Sequence, residues 1–287
     1  MKRWTLYLGI ITLLIPATIF AQTEIPKKDL VNSFLTSETK IVLEPNNQTY
    51  NNQIKEAIKK HWKISSYEFI STSEFKKSYT NPDYSFIVLT KTRISKEKAN
   101  VYYDFLNVFM GDESATSVAE LPELISIPFK YSRVLGSRHF YKLSPMAQFL
   151  QNHFKEIIKH RGMLVLRGLN YYHKHIPKIK NHELWISEKD LAETLPSLKD
   201  IREIYPYPLK IVSDKRLRSA IDEKKNIIFL HNIGPEDNEG PTGRCYKLLF
   251  NAQNGRMYYY KYHQISPEKP EGFLIKDFKR ITGGKWF

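Results

Sequence analysis

The sequence predicts an α/β protein, of the α+β kind, built from two tandem copies of one unit. Three observations predict it. Residues 67–89 and 209–231 align without a gap, 142 positions apart. In that alignment Phe75 and Tyr79 fall where Leu217 and Ile221 fall, and Phe86, Ile87 and Val88 where Ile228, Phe229 and Leu230 fall. Both copies then close on F-L-x-x-x-F-K, carried by Phe149, Leu150, Phe154 and Lys155, and by Phe273, Leu274, Phe278 and Lys279. Strand and helix patterns also follow one another in the same order in both copies. A repeat of this kind sets the architecture before any motif does.

The first unit opens with residues 40–44, where Ile41, Val42 and Leu43 predict a buried strand. Residues 50–63 read as a helix, because Ile54, Ala57, Ile58 and Trp62 recur at helical spacing with Lys55, Lys59 and Lys60 between them. Residues 67–71 form a second strand. Ser71 caps the next helix, with Glu74 three residues on as its capping-box partner. Asn81-Pro82-Asp83 ends that helix. Strands follow at 84–91, 100–109 and 124–131, rich in aromatic and β-branched residues.

The second unit repeats the order. Residues 183–187 open it, and Ile201 and Tyr205 take the places of Ile58 and Trp62. Strand 209–213, helix 214–223 capped by Ser213, and strand 226–233 come next. Strands 245–253 and 256–265 form a hairpin around Asn254-Gly255, a dipeptide suited to a type I′ turn. Each unit ends in a helix that starts at Ser-Pro, at Ser144-Pro145 and at Ser266-Pro267, with Pro270 delaying the second. Gly162 and Gly283 end these helices. Each unit therefore reads β-α-β-α-β-β-β-α, a mixed sheet covered by helices mainly on one face. This order is similar to that of the α/β domains of envelope proteins such as the N-terminal domain of TolB and the curli-secretion lipoproteins. The resemblance implies a fold and no activity.

Residues 1–21 have the pattern of a signal peptide. Lys2 and Arg3 precede an apolar stretch from Leu6 to Phe20, and cleavage is expected after Ala21. The alternative is an uncleaved anchor, for which the stretch is short of the ~20 residues a span needs. Residues 22–39 are then an extension, 40–162 the first repeat, 163–182 a basic connector and 183–287 the second repeat. No membrane span is expected after signal removal, and the chain is expected in the periplasm or outside the cell. Without Lys2 and Arg3 the chain carries 42 basic against 30 acidic residues, a net +12. For an exported protein such charge points to an anionic glycan, an anionic lipid or an envelope protein, or simply to a soluble surface. Nucleic acid is the expected partner only if the chain is not exported.

The candidate binding surface is the connector with the helix before it: Lys155, Lys159, Arg161, Arg167, Tyr171, Tyr172 and Lys174. Lysines and arginines there attract phosphate or carboxylate polymers, and tyrosines add stacking or hydrogen bonds. A plain solvated helix face is the alternative. Met163–Leu166 reads as an extra edge strand, and Pro177 as a helix breaker.

Chemistry has weaker support. The single cysteine, Cys245, has no intramolecular disulfide partner; His231 and His263 lie on neighbouring predicted strands, so a Cys–His pair is conceivable. Its setting in the apolar run CYKLLF fits a buried structural thiol equally. His173, His175 and His182 form a set that could hold zinc or copper, but Lys174 and Lys178 place positive charge beside it. Asp237, Asn238 and Glu239 lack calcium-loop spacing, and the C-terminal Phe287 lacks the strands of a barrel. No cofactor is implied. The sequence thus favours a non-enzymatic binding or scaffold module. The alternative is a hydrolase-like or metal-dependent enzyme working in the cleft between the repeats.

Overall fold

The structure is a computed structural model that describes residues 28–93, 101–132, 138–195, 197–235 and 243–283; the side chains of Lys28 and of residues 161–167 are not described. The expected signal peptide, the acidic loop at 236–242 and the C-terminal Phe287 lie outside the described residues.

The first repeat contains β1 (Glu38–Leu43), α2 (Gln48–His61), β2 (Tyr67–Ser71), α3 (Thr72–Ser78), β3 (Tyr84–Arg93), β4 (Tyr102–Met110), β5 (Glu123–Tyr131) and α4 (Leu143–Arg167). The second contains β6 (Glu183–Ser187), α5 (Leu198–Ile204), β7 (Leu209–Val212), α6 (Asp214–Asp222), β8 (Ile227–Ile233), β9 (Arg244–Asn251), β10 (Met257–Gln264) and α7 (Ile275–Ile281). Before both lies α1 (Lys28–Thr36), in the segment read as an extension; its Phe34 is fully buried and stacks on Phe154 at 4.0 Å between ring centroids.

Both units have the same topology. The first sheet runs β2-β1-β3-β4-β5 and the second β7-β6-β8-β9-β10. In each, the opening strand pairs in parallel with its two neighbours, and the last three strands are antiparallel. The expected α/β class and the doubled mixed sheet are what the chain adopts.

Local chemistry explains the elements. Asn47 caps α2 by accepting the Tyr50 amide at 3.1 Å, and Tyr50, Ile54, Ala57 and Ile58 bury one stripe of the helix. Ser71 and Glu74 complete the expected capping box on α3, and Ser213 caps α6. Ser197 and Asp200 form a further box on α5. Trp62 and Tyr205 stand just past the ends of α2 and α5, their amides bonded to Ile58 and Ile201 at 2.9 and 2.8 Å. Both rings are buried, so their equivalence across the repeats is structural.

Several expectations are corrected. Met163–Leu166 is not an edge strand, because α4 continues through Arg167 after a non-helical residue at His160. Pro177 does not stop helical structure: a 3-10 segment, Gly168–Asn181, runs through it and buries Leu169, Tyr171, Tyr172, Ile176 and Ile179. That burial outweighs one missing backbone donor. Ser144 is not an N-cap; α4 begins one residue earlier, directly after the 3-10 turn Phe140–Lys142, and the Ser144 hydroxyl meets His61 Nε2 at 3.0 Å. Ser266-Pro267 makes a turn closed by reciprocal backbone bonds with Lys269. The last helix starts eight residues further on, where Asp277 accepts the Leu274 amide at 3.0 Å. At the hairpin tip only Gly255 has positive φ (+65°), so the turn is a longer loop closed by the Gly255 amide on Asn251 rather than type I′.

Gly255 is held to glycine twice over. Its φ disfavours a side chain, and a Cβ there would lie 2.8 Å from the Pro145 carbonyl and the Phe149 amide of α4. The hairpin of the second repeat thus rests on the closing helix of the first. Gly255→Ala is expected to destabilise the protein by about 2–4 kcal/mol in urea unfolding. Gly283→Ala also has positive φ but an open Cβ position, and is expected to cost about 1 kcal/mol. Equal effects would show that the contact with α4 does not matter.

Candidate functional site

The predicted surface residues separate into two groups. Lys155 and Lys159 stand exposed on α4, and neither meets an acidic side chain among the described residues. Tyr171, Tyr172 and Lys174 belong to the 3-10 segment and are engaged within the protein. The Tyr171 hydroxyl donates to Glu156 at 2.8 Å, Lys174 pairs with the same carboxylate at 2.9 Å, and its ammonium lies 3.8 Å from the Tyr171 ring centroid. Tyr172 is buried, with its hydroxyl 2.7 Å from His153 Nδ1. The side chains of Arg161 and Arg167 lie outside the described residues.

A second helix joins this surface. The Lys63 amide, just beyond α2, donates to Gln151 Oε1 of α4 at 2.7 Å. Gln151 and Lys155 are one helical turn apart, so the Lys63 end of α2 meets α4 about one turn before Lys155. Lys59 and Lys63 are exposed and likewise lack an acidic partner among the described residues. The sequence shows these lysines as surface charges but not that the end of α2 meets α4 at Gln151.

The connector histidines have structural partners. His175 Nδ1–H donates to the Met257 carbonyl at 2.7 Å. His173 Nε2 lies 3.0 Å from the Tyr260 carbonyl oxygen and 3.2 Å from its amide nitrogen, serving one or the other according to tautomer. His182 Nε2 meets the Tyr258 hydroxyl at 3.1 Å. His173 and His175 therefore satisfy backbone groups at the outer edge of β10, where the next strand of a larger sheet would bond. No group of three or more possible metal ligands occurs among the described residues.

Cys245 is buried on one face of the second sheet. Its Sγ donates to Asn232 Oδ1 at 3.1 Å and accepts the Gly272 amide at 3.3 Å. His231 precedes Asn232 on β8, so strand alternation turns its ring to the opposite face, towards Phe129 and His139. His263 is the cross-strand neighbour of Cys245, yet its Nε2 meets the Pro270 carbonyl at 2.9 Å. Burial pushes the thiol up to about 12. Among the described residues no base converges on it, and burial keeps it protonated at neutral pH.

A cluster not visible in the sequence lies at the seam. Arg138 Nη2 donates to Asp190 at 2.6 Å and its Nε lies 3.5 Å from Asp214, which accepts the Ser187 hydroxyl at 2.5 Å. Lys142 is buried, bonds the Leu230 carbonyl at 3.2 Å and lies 3.8 Å from Asp190. Burial holds the Lys142 amine below its usual range, with Asp190 opposing the shift. His139 and His231 pack edge to face beside it, both held neutral by burial. Residues 138–142 lie about 50 to 90 positions before the residues they meet.

Comparison of the chain with protein-family models, with curated proteins and with solved structures gives no match. No helix among the described residues is long and apolar enough to cross a membrane.

Two predictions follow from burial. His61, His173 and His263 are lowered to about 4, His153 to about 3, His175 is lowered, and His139 and His231 lie well below the usual value, each chiefly through desolvation. The unfolded chain therefore binds more protons below about pH 6.5, and stability falls as pH drops from there. Glu44 and Glu123 are raised to about 7 by burial and act in the opposite sense between about pH 4.5 and 7. Asp222 is also raised by burial, but seven imidazoles outnumber these three carboxyls, so the urea midpoint should be lower at pH 5.5 than at pH 7.5. An equal or higher midpoint at pH 5.5 would refute this. Separately, a maleimide reagent at neutral pH should leave Cys245 unmodified in the folded protein and label it fully in urea; stoichiometric labelling of the folded form would restore the nucleophile reading.

Proposed function

We propose that the chain is an exported envelope protein that works by binding, not by catalysis. Its partner is a polyanion, an anionic glycan or lipid assembly, taken on the lysine face of α2 and α4. One observation carries the reading: Lys155 and Lys159 stand exposed on α4, and exposed Lys63 adjoins that helix at Gln151, all without acidic partners among the described residues. Unpaired surface cations raise the local concentration of anions and speed their capture, at low salt above all. The connector tyrosines, engaged within the fold, are not part of this face.

A second reading, an enzyme at the junction of the repeats, draws on the Arg138–Asp190–Lys142 cluster with its two neutral histidines. Arg138 and Asp214 keep about a fifth and a quarter or more of their side chains exposed, so the cluster touches solvent at one end.

The binding reading is tested on protein recovered from the envelope fraction, where the mature chain is expected to begin at Gln22. On a dextran sulfate column it should be retained and released by salt. The triple variant Lys63→Glu, Lys155→Glu, Lys159→Glu should bind roughly 10- to 100-fold more weakly, with an unchanged unfolding curve. Release at the same salt as the parent protein would remove this face from consideration.

A further inference from the structure

The outer strands of the two sheets are β2 and β5 in the first and β7 and β10 in the second. Two of them are covered. His173 and His175 bond the edge of β10, and β5 is buried along most of its length. β2 and β7 have only β1 and β6 as strand neighbours among the described residues. Both show one alternation. Tyr67, Phe69, Leu209 and Ile211 are half-buried, Glu68 and Lys210 between them are exposed, and Ile70 and Val212 are buried.

Backbone bonds show which groups of each edge point outward. The Thr39 amide bonds the Ser66 carbonyl and the Leu184 amide bonds the Pro208 carbonyl, both at 2.9 Å. Along a parallel ladder every second residue turns its backbone groups to the neighbouring strand. Glu68 and Ile70 therefore face β1, and Lys210 and Val212 face β6. Tyr67 and Phe69, and likewise Leu209 and Ile211, turn their amides and carbonyls to the outside, where another strand can bond.

The charges in mid-strand are opposite in sign and held in place. Glu68 accepts from Lys40 at 2.7 Å. Lys210 pairs with Glu183 at 2.8 Å and lies 5.3 Å from the Trp185 ring centroid. When the two edges are set antiparallel with Glu68 opposite Lys210, outward groups meet outward groups. Tyr67 then stands opposite Ile211 and Phe69 opposite Leu209, and each pair exchanges two backbone hydrogen bonds. Their side chains share one face of the joint. On the other face Lys40, Glu68, Lys210 and Glu183 make a row of alternating charge. The same register between two β2 edges opposes Glu68 to Glu68, and between two β7 edges Lys210 to Lys210, which like charge disfavours.

We infer that β2 of one copy pairs with β7 of a second copy, so that the chain associates with itself head to tail. A joint between two different edges leaves one of each kind free. It therefore extends into rows or closes into a ring, and does not stop at a two-fold dimer. Two short strands bury little area, so the association is weak and depends on concentration. Each copy in a row carries its own lysine face, and a long polyanion is then held at several points at once. The joint uses none of those lysines, so it and the polyanion reading can fail separately.

The test is sedimentation velocity of the mature chain. Over roughly 10 μM to 1 mM the mass of the parent protein should rise with concentration. Glu68→Lys leaves lysine on both edges, and Lys210→Glu leaves glutamate on both. Each variant alone should associate roughly 10-fold more weakly, while an equimolar mixture of the two, with opposite charges at every joint, should associate as the parent does. Charge reversal beside Lys40 or Glu183 could harm folding, so Glu68→Gln is measured as well. It should keep the parent unfolding curve and weaken association by a smaller factor. A lysine or glutamate of purely structural importance would not give recovery on mixing. A parent protein that stays monomeric at the highest concentration would overturn the joint. So would undiminished association of Glu68→Gln, or a mixture no stronger than its components.

Discussion

Around Tyr246 the two sheets pack directly on each other, and most of the molecule is arranged to keep that contact dry. The Tyr246 ring is fully buried and meets Tyr103 and Phe105 of the other repeat at 5.3 and 5.8 Å between centroids. The Tyr103 hydroxyl donates to the Arg244 carbonyl at 2.9 Å and accepts the Arg244 amide at 2.6 Å. Phe149 of α4 reaches Phe250, and Phe129 of β5 reaches His231. One apolar cluster therefore runs through both repeats. Aromatic rings fix relative orientation as well as burying area, so the repeats are set in one arrangement. The similar units are not two beads on a connector.

Charge is placed at the seam and at the far face for different ends. Lys247 and Asp277 form a buried pair on the outer face of the second sheet, to which Tyr259 adds a hydrogen bond of 2.6 Å. That pair fastens α7, whose first turn also uses Asp277. The seam cluster around Asp190 is looser, with Lys142 bonded partly to a backbone carbonyl. Buried ion pairs gain little net energy over apolar packing, yet removal of one partner leaves an uncompensated charge.

The 3-10 segment solves a separate problem. β10 is an outer strand, and its free backbone groups would pair with another chain. His173 and His175 bond those groups directly, and Ile176 and Ile179 seal the adjoining core. Residues that look like metal ligands in sequence are here substitutes for a neighbouring strand. The desolvation that makes them good edge caps also makes them poor bases.

Short-range chemistry was legible in the sequence. Capping by Ser71 and Ser213, the Trp62–Tyr205 equivalence and the order of strands and helices along each unit were all readable. The caps and the element patterns depend on residues within a few positions of one another, where backbone geometry fixes the outcome. The same holds for Lys155 and Lys159, whose helical spacing placed them outward. Errors arose where distant segments decide. Tyr171 and Tyr172 turn inward because α4 supplies Glu156 and His153, and the hairpin loop lengthens because its tip must fit α4. Arg138 meets Asp190 only once the sheets have packed. A pattern of apolar and polar positions specifies which face of an element is buried. Which partner covers it is a property of the whole fold, because that choice is made by contacts between residues the sequence keeps far apart.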